Sequence, residues 1–244
     1  MHLTTNAIML TARAHGEHGA VIRMLTETNG LIAAYVHGGR SRKSKPLLSA
    51  GNMVMAQLDS RGETQLATAR IELMASRAAL ALHPLTLSLT EWLTMLVADA
   101  LPEGEAFAEL YEALVACLAL MEADADALQM GQALARFELK LLRDLGFRLD
   151  LDSCAATGDC DDLIYLSPKS GRAVSASAGA AYKTRLFALP AFMKDPAAAT
   201  GGDDILAALR ITRHFIERDL LPPHRAEKTL LARTRVDVQL QKRF

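Results

Sequence analysis

The spacing of apolar positions changes near residue 80, and the two patterns predict different secondary structure. Before it, short β-rich runs alternate with turn residues. "NAIMLTARA" (6–14) opens on an apolar run, and "AVIRMLTETNGLIAAYVHGG" (20–39) is two runs divided by Thr28-Asn29-Gly30. Asn-Gly suits the positive φ of a tight turn, so a hairpin is predicted there. "NMVMAQLDS" (52–60) and "TQLATARIELM" (64–74) follow, joined by Arg61-Gly62-Glu63, which reads as a second hairpin. Five short strands are too few for two packed sheets. They suit a small closed barrel, and an OB-fold has this size and strand count.

From Pro84 the period becomes helical. "PLTLSLTEWLTMLVADAL" (84–101) begins with a proline, which a first helical turn tolerates, and stops before Pro102. In "EAFAELYEALVACLALMEA" (105–123), Phe107, Leu110, Leu114, Cys117, Leu118 and Met121 form one apolar stripe. "DALQMGQALARFELKLLRDLG" (126–146) repeats the pattern, with acid at its start and Gly146 as a stop. "DDILAALRITRHFIERDLL" (203–221) starts on two aspartates and halts at Pro222-Pro223. Between these helices, "LIYLS" and "RAVS" flank Pro168-Lys169-Ser170-Gly171, which predicts a small inserted hairpin. The expected architecture is α+β: a five-stranded OB-fold barrel over residues 1–80, then a mainly α-helical domain over 81–244. The insertion spans about 150–185.

Composition narrows the class. The 244 residues are 50% hydrophobic and 23% charged, ordinary for a globular chain. The most apolar stretch, "LYEALVACLALM", is too short to span a bilayer, and the N-terminus does not read as a signal peptide. Three cysteines do not make a disulfide framework, so a reducing cytoplasmic setting is expected. Net charge is −1, but its distribution is uneven. Residues 1–80 hold nine Lys/Arg against five Asp/Glu, 81–150 hold four against twelve, and 151–244 hold fourteen against eleven. Two basic ends thus flank an acidic middle.

The candidate chemistry begins with "YVHGGRSRKSKPLL" (35–48), which crowds Arg40, Arg42, Lys43 and Lys45 into six residues between the third and fourth strands. Cations beside a small barrel can meet phosphates, because phosphate binding is mostly charge and counterion release. Gly38 and Gly39 would let the backbone approach a ligand, and Arg13 and Arg23 could extend the patch. A solvated loop fits the same composition. Tyr35 is the only nearby aromatic, which favours backbone over base recognition. Cys154 and Cys160 are separated by five residues and lack a second ligand pair, so neither zinc nor any other cofactor is expected. "HGEHG" carries His15 and His18 but does not match H-E-x-x-H, and no nucleophile elbow, P-loop or dinucleotide fingerprint is present. An enzyme is therefore not expected. The C-terminal "LPPHRAEKTLLARTRVDVQLQKRF" holds six Lys/Arg against two acids, and fits either a second phosphate-facing surface or a solvated helical tail.

These residues resemble a known family. "HGEHGAVIRMLTETNGLIAAYVHGGRSRKSKPLLSAGN" is similar to the opening of RecO, the bacterial recombination mediator. Gly16-Glu17, then Leu25-Thr26, then Glu27 with Gly30, and then "GGRSRKSKPLL" carry the likeness. It continues through "ARFELKLLRDLGFRLDLDSCAATG" and "YLSPKSGRAVS". The resemblance implies an N-terminal OB-fold and a helical domain. It also implies binding of single- and double-stranded DNA, annealing of complementary strands, and partnership with RecR to help RecA displace single-strand-binding protein. That protein's acidic C-terminal tail would dock on the helical domain. Arg136, Lys140 and Arg143, beside Phe137, Leu141 and Leu142, are candidates for this contact, although such a line of cations is equally a solvated helix face. Many RecO-like proteins carry four cysteines as a zinc site, and this sequence lacks the second pair. The expectation is thus a cytoplasmic, nucleoid-associated DNA-repair mediator that is not an enzyme. The alternative is an OB-fold protein-interaction module without intrinsic DNA binding. A small metal-dependent enzyme using His15 and His18 ranks last.

Overall fold

The computed structural model describes residues 2–60, 62, 65–221 and 223–244. By packing the chain forms two compact units, Met1–Asp124 with Glu227–Val236, and Ala125–Ala226 with Asp237–Phe244. The change of period at residue 80 marks a change of secondary structure, whereas the change of packing partner comes after residue 124.

The first unit holds β1 (His2–His15), β2 (Gly19–Thr26), β3 (Gly30–Val36), β4 (Met53–Asp59) and β5 (Ala67–Ala75). Pairing runs β1-β2-β3-β5-β4 and returns to β1, which closes the barrel that the strand count suggested. β3 and β5 pair in parallel, and the other barrel pairs are antiparallel. Period-2 alternation selects the interior: Ala20, Ile22 and Met24 of β2 meet Val54, Ala56 and Leu58 of β4 in one core. On β1, Ala7 to Leu10 are all buried, because a helix packs on the strand's outer face. That helix is α1 (Pro84–Ala100), followed by α2 (Ala108–Glu122). Leu110, Leu114, Cys117, Leu118 and Met121 of the expected stripe are buried, with Phe107 at the N-cap.

Both predicted hairpins form. The Asn29-Gly30 hairpin has Thr26 paired with Gly30, so its loop has three residues, and only Gly30 takes a positive φ. The Thr26 hydroxyl accepts the Asn29 N–H at 3.0 Å and so closes this loop. The Arg61-Gly62-Glu63 turn lies, apart from Gly62, outside the described residues, although β4 and β5 do pair as an antiparallel hairpin.

The second unit begins with α3 (Ala127–Asp144). Asp126 and Gln129 form a capping box, and Gly146 (φ +88°) ends the helix with Phe147 N–H donating to the Leu142 carbonyl. β6 (Leu163–Leu166) and β7 (Ala173–Ser175) are the expected inserted hairpin, followed by one turn of helix, α4 (Ala176–Gly179). A third strand, β8 (Phe187–Ala188), pairs with the other edge of β6, so the hairpin is a three-stranded sheet in the order β7-β6-β8. Two residues carry no periodicity, which is why the sequence did not announce it, yet they cover an otherwise open edge.

α5 (Gly202–Phe215) stops before the expected Leu221, giving way to a π-helical turn over Ile216–Leu220. α6 (Pro223–Gln241) follows. Among the described residues no helix is long and apolar enough to cross a membrane.

Candidate nucleic-acid interface

The segment from His37 to Asn52 joins β3 to β4 and is built from successive turns. Ser41 starts one of them: its hydroxyl accepts the Ser44 N–H at 3.1 Å, and its carbonyl accepts the Lys45 N–H at 3.0 Å. Two anchors hold the far end. Leu48 enters the barrel core, and the buried Asn52 amide donates to the Pro46 and Leu47 carbonyls at 2.9 and 3.3 Å. The cations therefore stand on a defined scaffold, as binding residues on loops commonly do.

Their individual placements differ. Arg40 is exposed but engaged: its guanidinium donates to the Gly16 and Glu17 carbonyls at 3.1 and 2.9 Å, and its N–H to the His18 carbonyl at 3.1 Å. It ties the β1–β2 turn to this loop. Arg42, Lys43 and Lys45 are exposed, and among the described residues no acidic side chain pairs with them. Arg13 lies on the outer face of β1, 4.0 Å from the buried Asp99 and with 59% of its side chain exposed. Arg13, Arg40 and Lys45 line one cleft of about 580 Å³.

Arg23 does not join them. It pairs with Glu103 at 2.8 Å, donates to the Ala98 carbonyl, and is largely covered. Its charge is balanced locally, so the structure assigns it a packing role between β2 and the chain after α1.

Sequence reasoning missed Arg70 and His37, which with Ser44 line a second cleft of about 540 Å³ on the other side of the loop. The alternation of β5, with Ala69 buried and its neighbours outward, was the available signal for Arg70. Asp59, also in this cleft, accepts from His2 at 2.6 Å, and that hydrogen bond holds its carboxyl below the usual range.

The cations of the basic C-terminal segment are divided between the fold and the surface. On α6, Arg233 is buried with its guanidinium 5.6 Å from the Trp92 ring, and Arg235 pairs with Glu91 at 2.8 Å. Lys228, Lys242 and Arg243 are exposed.

In the second unit, Arg136, Lys140 and Arg143 of α3 line a cleft of about 300 Å³ together with Arg148 and Lys194. Leu139, Leu149, Leu151 and Met193 give it an apolar lining. Asp144 pairs with Lys140 at 3.0 Å and Arg143 at 3.2 Å, and Asp152 with Arg148 at 3.0 Å, so the rim keeps an excess of positive charge.

Comparison with known proteins decides the family. Residues 1–77 match the sequence model described as Recombination protein O N terminal, and residues 83–228 match Recombination protein O C terminal. The DNA repair protein RecO of Phenylobacterium zucineum is 43% identical over 225 residues, 91% of each chain. Those of Caulobacter sp. strain K31 and Rhodospirillum centenum are each 41% identical, over 91% of both chains and over 96% and 93%. The chain belongs to the RecO family. Membership gives it a role in DNA repair and recombination, and makes the N-terminal barrel the RecO OB-fold.

The two cysteines of the inserted loop differ in their surroundings. Cys154 is buried, its sulfur accepting from the Ser175 N–H at 3.3 Å and within 3.5 Å of the Ser175 hydroxyl. Cys160 is exposed. Among the described residues no three His, Cys, Asp or Glu side chains converge to hold a metal, at this loop or around His15 and His18. Hydrogen bonds shape the loop instead: Cys154 N–H donates to the Asp159 carbonyl at 2.7 Å and Gly158 N–H to the Cys154 carbonyl at 2.9 Å.

Proposed function

We propose that this RecO-family chain is a non-catalytic mediator of recombinational repair that binds single- and double-stranded DNA and anneals complementary strands. With RecR it helps load RecA onto DNA coated by single-strand-binding protein, acting in the cytoplasm at the nucleoid. The observation that carries the reading is the anchored loop after β3, which presents the exposed Arg42, Lys43 and Lys45 beside two clefts that contain Arg13, Arg40 and Arg70. Cations so placed neutralise phosphates on both strands and lower the repulsion that opposes pairing. Replacing Arg42, Lys43 and Lys45 together by Ala should abolish annealing and leave the fold intact. Normal annealing by that variant would overturn the reading. The rival, a protein-interaction barrel without intrinsic DNA binding, predicts no oligonucleotide binding near physiological ionic strength.

A second surface has its own support. The α3 cleft combines an apolar lining with a basic rim, the chemistry that an acidic peptide ending in apolar residues requires. We assign it to the acidic tail of single-strand-binding protein. Lys194→Glu with Arg136→Glu should weaken binding of such a tail peptide tenfold or more on the order expected for two charge reversals, as read by fluorescence anisotropy. Unchanged affinity would remove the assignment.

A further inference from the structure

Three aromatic side chains form a row beside the basic loop. Tyr35 on β3 has His15 and His37 on either side, with ring centroids 5.9 and 4.8 Å away and the imidazoles nearly perpendicular to it. Strand pairing explains why they meet. Arg13 on β1, Val21 on β2, Tyr35 on β3 and Thr68 on β5 are register partners across the sheet. Their neighbours Ala20, Ala34, Val36 and Ala69 face the core, so this row faces out. His15 pairs with Gly19, and Gly19 has no side chain. The tip of Tyr35 takes that space: a Cβ on Gly19 would lie 2.0 Å from the hydroxyl and 2.4 Å from Cε2 and Cζ. The phenol thus lies across β2 instead of standing away from it. His15 and His37 are exposed, and Tyr35 is half-buried.

We propose that Tyr35, with His15 and His37, is a base-stacking surface for single-stranded nucleic acid. The inference rests on the DNA-binding reading above and adds the part of the ligand that the cations do not recognise. Cations select phosphate and are indifferent to strandedness, whereas an aromatic row engages only unpaired bases. The two meet here: Arg13 stands in register with Tyr35 through Val21, and Arg40 holds the turn that follows His15. A strand whose phosphates follow the loop would lay its bases on the row. The sequence showed Tyr35 as a lone aromatic and so favoured backbone recognition, because His15 and His37 join it only through the pairing of β1, β2 and β3.

The test compares two labelled probes of equal length and charge, an oligothymidylate and an abasic sugar-phosphate oligomer. The native protein should bind the base-bearing probe about tenfold more tightly, the effect of roughly one stacked base. Tyr35→Leu, which keeps an apolar cover over Gly19, should narrow that preference while the salt slope on oligothymidylate stays as in the native protein. His37→Ala, at an exposed position, gives the same readout if Tyr35→Leu does not fold. Equal native binding of the two probes, or an undiminished preference in both variants, would overturn the stacking surface and leave the phosphate reading standing. Binding of neither probe would remove both.

Discussion

Gly30 holds its turn at φ +65°, and a Cβ there would stand 1.9 Å from the Glu105 carbonyl oxygen. Left-handed strain and a backbone clash act together, so Gly30→Ala should cost at least about 2 kcal/mol in urea denaturation. Cys154 makes a second residue-level prediction. Hydrogen bonds from the Ser175 and Thr157 side chains, then from their backbone N–H groups, bring its pKa down to about 6. A thiol whose folded pKa is depressed contributes stability that is fully present above the free thiol's value and lost as pH falls through about 6. The stability difference between the native protein and Cys154→Ser should therefore grow as pH rises from 6 towards 9. A difference independent of pH would contradict this placement of the thiolate. Arg40 and Arg42 separate in the same way. Arg40→Ala should lower the melting temperature by releasing the β1–β2 turn, while Arg42→Ala should leave it unchanged.

At the scale of elements, much was legible because period and turn chemistry agreed. The five barrel strands, the α3 stripe and its Asp126 cap follow from local sequence alone. What escaped it depends on partners distant in the chain. β8 exists only because β6 leaves an edge to be covered. Arg23 belongs to the net-basic first eighty residues, yet Glu103, eighty residues later, takes its charge. Conversely, Arg70 and His37 look isolated in sequence and meet beside Ser44 in one cleft. The loop after β3 illustrates both sides: its charge was plain from composition, while its rigidity depends on Asn52, whose amide holds Pro46 and whose Oδ1 accepts the Arg77 N–H at 2.9 Å. Asn52→Ala should therefore weaken oligonucleotide binding without removing a single cation, and also lower the melting temperature. Native binding by that variant would show that anchoring does not matter.

For the whole molecule, net charge near zero conceals a division: the barrel end is basic and residues 81–150 are acidic. Overall charge alone would not attract DNA, so the proposed binding rests on locally presented cations. Of the basic residues noted in the sequence, Arg23 and, on α6, Arg233 and Arg235 are engaged within the fold, whereas the loop after β3 presents its cations beside two clefts. The account is therefore tested most directly by the salt dependence of single-strand binding, comparing the native protein with the Arg42→Ala, Lys43→Ala, Lys45→Ala variant. It predicts a native binding constant that falls steeply with salt and little with sequence, and a slope of log affinity against log salt reduced by about 2 when three phosphate contacts are lost. An unchanged slope in the variant, or native binding indifferent to salt, would contradict it.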